Sequence, residues 1–66
     1  MGEQYRVVAQ GCETFDRLPG TGSVQERAAH TLALIHGRHV RNVREVAFGH
    51  WRGLVGNRVS STIEVR

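Results

Sequence analysis

Gly49-His50-Trp51-Arg52-Gly53-Leu54-Val55-Gly56-Asn57-Arg58-Val59-Ser60-Ser61-Thr62-Ile63-Glu64-Val65-Arg66 is the stretch whose reading decides the fold. Gly56-Asn57 suits a two-residue hairpin turn of type II′ or I′, because glycine and asparagine accept positive φ. Beyond it, Val59, Ile63 and Val65, with small Ser61, alternate with charged and hydroxyl residues, the period of a half-buried strand. Pairing outward from the turn sets Val55 opposite Arg58, Leu54 opposite Val59, His50 opposite Ile63 and Phe48 opposite Val65. In that register Val46, Phe48, Leu54, Val59, Ile63 and Val65 share one face, the expected seat of a helix. Trp51, the only tryptophan, falls on the other face beside Thr62, with Gly49 and Gly53 clearing space on both sides of the indole. A bulge at either glycine would turn it inward. Core, subunit interface and ligand contact are all open to Trp51.

Upstream, Ser23 and Glu26 form an S-x-x-E capping box, in which each side chain covers an orphan backbone N–H. Val24, Ala28, Leu32 and Ile35 recur at helical spacing, Leu34 widens the stripe, and Gln25, Glu26, Arg27 and His30 take the solvent side. Gly37 is a natural C-cap, so the spacing predicts a helix over 23–36. Val40 to Arg44 fits either a further helical turn or a strand, and a strand beginning near Val43 is favoured. Tyr5 to Gln10 reads as a β-run, with Tyr5, Val7 and Ala9 on one face and apolar Val8 on the other, as in an interior strand. Cys12 to Gly22 reads as loop, and Met1 to Gln4 as a loose end. The expected fold is α+β, in the order β-α-β-β: a small antiparallel sheet with one helix packed on one face.

The 66 residues make a single domain with a marginal core, since a chain this short buries only ~60% of its unfolded surface. Cys12 is alone, which excludes an internal disulfide and fits a reducing cytoplasm. Support from a homo-oligomer or a larger assembly is therefore expected. No apolar run approaches the ~20 residues of a membrane helix and no signal peptide is recognisable, so a cytoplasmic location without membrane contact is expected. All nine basic residues are arginine, and the formal charge is +3. Codon bias of a GC-rich genome accounts for this, as does selection for planar, bidentate contacts that lysine cannot make. Five arginines lie from Arg38 to Arg58 against one acid, Glu45. That is the basic end of the molecule, and it surrounds Trp51.

Catalytic signatures are missing. His36 and His39 have a metal-compatible spacing, but two imidazoles without a carboxylate or thiolate make a poor site, and helix capping suits them better. Cys12 paired with a distant histidine lacks an orienting third group, and Glu13 and Asp16 lack a pocket to tune them. Gly20-Thr21-Gly22-Ser23 lacks the lysine and glycine spacing of a phosphate loop. Neither enzyme activity nor a bound cofactor or metal is expected.

Three segments carry a resemblance. Tyr5-Arg6-Val7-Val8, Val40-Arg41-Asn42-Val43-Arg44-Glu45-Val46 and Ser61-Thr62-Ile63-Glu64-Val65 are similar to the opening strand, the helix-to-strand passage and the last strand of the dodecins. These are small flavin-storage proteins that form hollow dodecamers. The resemblance implies the same β-α-β-β layout and an oligomer that binds or stores a flavin or another small aromatic ligand. It stops short of the flavin site. The family's stacking tryptophan precedes a Glu-Val pair, whereas here Arg44 precedes Glu45-Val46 and Trp51 comes later. The glutamine of the family's second strand has no counterpart, and the loop from Thr14 to Gly22 is longer.

The residues together suggest a non-enzymatic binding protein, an accessory regulator or inhibitor of the kind that phages also encode. Its expected partner is a nucleic acid or nucleoprotein, met through Trp51, Arg52, Arg44, Arg41, Arg58 and His50. The dodecin-like oligomer is the alternative.

Overall fold

Ser23 starts the one helix among the described residues as its sequence requires. Its hydroxyl accepts from the Glu26 amide at 3.1 Å while the Glu26 carboxylate accepts from the Ser23 amide at 2.9 Å. The helix α1 runs Val24–His36 and ends on Gly37, whose left-handed backbone (φ 68°) lets its N–H reach the Ala33 carbonyl. The computed structural model describes residues 4–9 and 14–66. Cys12, Glu13 and the first three residues, about which the sequence raised expectations, lie outside the described residues.

Around α1 the chain forms β1 (Gln4–Val7), β2 (Asp16–Arg17), β3 (Arg41–Ala47), β4 (His50–Val55), β5 (Arg58–Val59) and β6 (Ile63–Val65). They make one six-stranded antiparallel sheet in the order β2-β1-β6-β4-β3, with β5 also paired to β4. A helix on a small antiparallel sheet is thus the α+β fold expected. Among the described residues no helix is long and apolar enough to cross a membrane.

Two features of the hairpin region depart from the sequence reading. First, the long second strand is folded back on itself at Phe48-Gly49, where Gly49 takes φ 74°, so β3 and β4 are antiparallel neighbours. Glu45 Oε2 accepts the Gly49 amide at 2.7 Å and braces that turn. Second, the turn at Gly56-Asn57 forms as expected, with Gly56 alone at positive φ (60°), the type II′ pattern. Val55 opposes Arg58 and Leu54 opposes Val59. Then the ladder slips. His50 faces Glu64 rather than Ile63, and Trp51 faces Ile63. One extra residue has entered the Ser60–Thr62 side, a β-bulge.

The cause lies in side-chain hydrogen bonds. Ser60 N–H donates to the Gly53 carbonyl at 2.8 Å, as a regular pair would. The return bond goes astray: Gly53 N–H donates to the Ser60 hydroxyl at 2.9 Å, and that hydroxyl donates onward to the Ser61 carbonyl at 2.8 Å. His36 Nε2 accepts the Ser61 amide at 3.1 Å from the end of the helix. Side chains thus occupy the places of ladder partners, and the strand gains a residue without stranding these donors.

The slip decides the faces. Ile63 and Val65 lie against α1 with Leu18, Ala28, Leu32, Val40 and Val43 as the buried core. Trp51, opposite Ile63, packs half-buried against that core with Tyr5, Val7, Val24, Ala29 and Val55. Placing Trp51 beside Thr62 on the far face is thereby corrected. Leu54 and Val59 go to the far face instead of seating the helix, and Phe48 and Val46 are exposed. Gly53 does not make room for the indole. A methyl there would stand 2.6 Å from the Arg41 carbonyl oxygen and 2.8 Å from the Val40 and Val43 side chains, so Gly53 lets β3 lie close over β4.

The helix stripe also shifts. Thr31 is buried in place of Ile35, its hydroxyl satisfied by the Arg27 carbonyl at 2.8 Å, while Leu34 is exposed. Gln25 reaches the Val43 carbonyl at 2.7 Å and ties the helix to β3. The ambiguous Val40–Arg44 passage is strand from Arg41, interrupted at Asn42 by a left-handed residue (φ 55°) and a register shift. Asparagine is among the few residues that take this conformation readily.

Candidate functional site on the open sheet face

The sheet carries its helix on one face only. Alternation from the buried positions sends Arg6, Glu64, His50, Arg52, Leu54, Val59, Arg44 and Arg41 to the other face. Its two halves differ in charge.

Near β1 the arginines are paired. Arg6 Nε meets Glu64 Oε1 at 2.8 Å, and Arg66 Nε meets Glu64 Oε2 at 3.4 Å. The Arg6 hydrogen bond, aided by Arg66 and opposed by partial burial, holds the Glu64 carboxyl below the usual carboxylate range. Both guanidinium groups also lie over the Phe15 ring, at 5.4 and 4.5 Å from its centroid. His50 lies beside this cluster, half-buried opposite Glu64.

Near β3 they are not. Arg44 stands directly opposite Arg52 across the β3–β4 ladder, and both are exposed. Among the described residues neither has a hydrogen bond or ion pair. Arg41 is their neighbour on the same face, opposite Leu54, with its Nη2 on the Gly56 carbonyl at 2.9 Å. A groove of about 430 Å³ is lined by polar Asn42, Arg44 and Arg52 and by apolar Val43, Leu54 and Val59 around Gly53. Val59 is 58% exposed there.

Of the six residues singled out from sequence, Arg41, Arg44, Arg52 and His50 share this face. Trp51 and Arg58 do not: Trp51 packs with the core, and Arg58 opposes Val55 on the helix side. Leu54, Val59 and Asn42 were missed as site residues. The Ser60-Ser61-Thr62 run of hydroxyls was the available signal, since a side-chain acceptor can replace a ladder carbonyl.

No group of three or more metal-ligating side chains exists among the described residues, and the Ser61 amide occupies the Nε2 lone pair of His36. Compared with family models, curated proteins and solved structures, the chain matches none of them.

Proposed function

We propose that the protein is a non-enzymatic binding module that docks single-stranded nucleic acid on its open sheet face. The observation that carries this is the Arg44–Arg52 pair. Like charges directly opposite one another destabilise a sheet, and a phosphate between them turns that repulsion into two charge-assisted contacts. Guanidinium groups suit the task through their planar fork. The Leu54–Val59 floor beside them offers an apolar surface for a base or sugar. An open sheet face favours single strands, because a duplex major groove admits a helix or a two-stranded ribbon. A regulatory or inhibitory role toward nucleic-acid machinery follows from occupancy of such a strand.

The test is fluorescence anisotropy of labelled single-stranded oligonucleotides titrated with protein at low salt. Binding is expected, and its logarithm should fall linearly with the logarithm of salt. Arg44→Ala and Arg52→Ala should each weaken binding several-fold for every sequence and lower the salt slope by about 1. No binding at low salt, or equal binding by the double variant, overturns the reading. Capture of an acidic protein instead would assign the face to protein docking.

A further inference from the structure

A second surface lies at the far end of the β3–β4 hairpin. Phe48, at the turn, is 99% exposed, a large apolar side chain held wholly in water. Immediately beside it is a cleft of about 380 Å³ whose apolar lining is Val24, Trp51, Val65 and Phe48 itself. Val24 and Trp51 are each half-buried against the core, so the floor is firm. The Glu45 brace on the Gly49 amide holds Phe48 out on a fixed turn. A knob and a hole therefore adjoin on the same surface of the same chain. An isologous two-fold contact needs this arrangement, in which each copy inserts what the other receives.

We propose that this hairpin end is a homodimer contact, with the Phe48 ring of one copy seated in the Trp51 cleft of the other. The rim supports a second copy over a foreign partner. Besides its apolar floor the cleft is lined by Glu45, Glu64 and Arg66; the Arg66 side chain is 64% exposed beyond its 3.4 Å contact with Glu64, so an inverted copy can bring it to the Glu45 of the other. Burying a phenyl ring against an indole suits an edge-to-face pair. The open face is excluded as the self-contact, because stacking two of them would bring four unpaired arginines together. Arg44 and Arg52 do not line this cleft, so a dimer through Phe48 leaves both arginine pairs free.

One ring seated in one cleft on each side makes a small contact beside the ~800 Å² per partner of a standard interface, so a weak dimer is expected, with a dissociation constant on the order of 100 µM. Sedimentation velocity across a concentration range spanning that value should show the shift from monomer to dimer. Phe48→Asp should leave a monomer throughout, and Phe48→Ser should weaken the dimer at least tenfold. Circular dichroism and the melting curve should stay unchanged, because Phe48 touches almost nothing in the monomer. A wild-type chain that remains monomeric overturns the proposal, as does a Phe48→Asp chain that dimerises like the wild type. A monomer whose Trp51 emission is quenched by an anilinonaphthalene probe would give the cleft to a small aromatic ligand instead, and likewise overturns it.

Discussion

Glu64 decides how the open face responds to acid. Its folded-state pKa is lowered, chiefly by the Arg6 hydrogen bond, with burial opposing and Arg66 assisting. A carboxylate of lowered pKa contributes stability that is present above its unfolded value and is lost as pH falls through the folded one. The urea midpoint should therefore hold from neutral pH down to the ordinary glutamate range and decline below it. Glu64→Gln should flatten that decline, the difference between the two curves being the measurement. The Glu26 carboxyl is lowered too, by the Ser23 amide and then its hydroxyl, so it contributes to both curves alike. An acid limb that is the same in both proteins would remove Glu64 from the account. None of this was legible in the sequence, where Arg6 and Glu64 are 58 positions apart and only the strand pairing joins them.

Among the elements, the helix and the Gly56-Asn57 turn were the most legible, because each is written in adjacent residues. The capping box, the C-cap glycine and the turn glycine act locally, and tertiary packing did not override them. The bulge is different. Val59, Ser61, Ile63 and Val65 alternate perfectly on paper, so nothing in the period announces an extra residue. It arises because the Ser60 hydroxyl outcompetes its own carbonyl for the Gly53 amide, with His36 waiting for Ser61. The consequence is large, since a one-residue slip exchanges the two faces of a strand. The turn at Phe48-Gly49 escaped notice for a related reason: Gly49 read as a neighbour of Trp51 on an unbroken strand. Ser60→Ala takes away the acceptor of a buried amide and should cost roughly 1–3 kcal/mol in urea unfolding. Amide exchange at Gly53 should accelerate in step. Unchanged exchange there would mean that another acceptor holds the bulge.

For the whole molecule, β6 is the keystone. It pairs with β1 on one side and β4 on the other, and supplies buried Ile63 and Val65. Removing residues 61–66 should leave β1 with only two-residue β2 beside it and abolish cooperative melting, as followed by circular dichroism. A truncated chain that still melts sharply would show that α1 on the β3–β4 hairpin suffices. The sequence disclosed the class of the fold but not this order of strands, because short antiparallel strands with similar patterns can exchange places. The order matters during synthesis. The innermost strand follows all the others in the chain, so α1 emerges with its apolar side facing a sheet that lacks its centre. At ribosomal rates of about 5–20 residues per second, the passage from His36 to Val65 lasts roughly 1.5–6 s. Through that interval α1 has no central strand to pack on, so completion of the native sheet waits on the synthesis of β6.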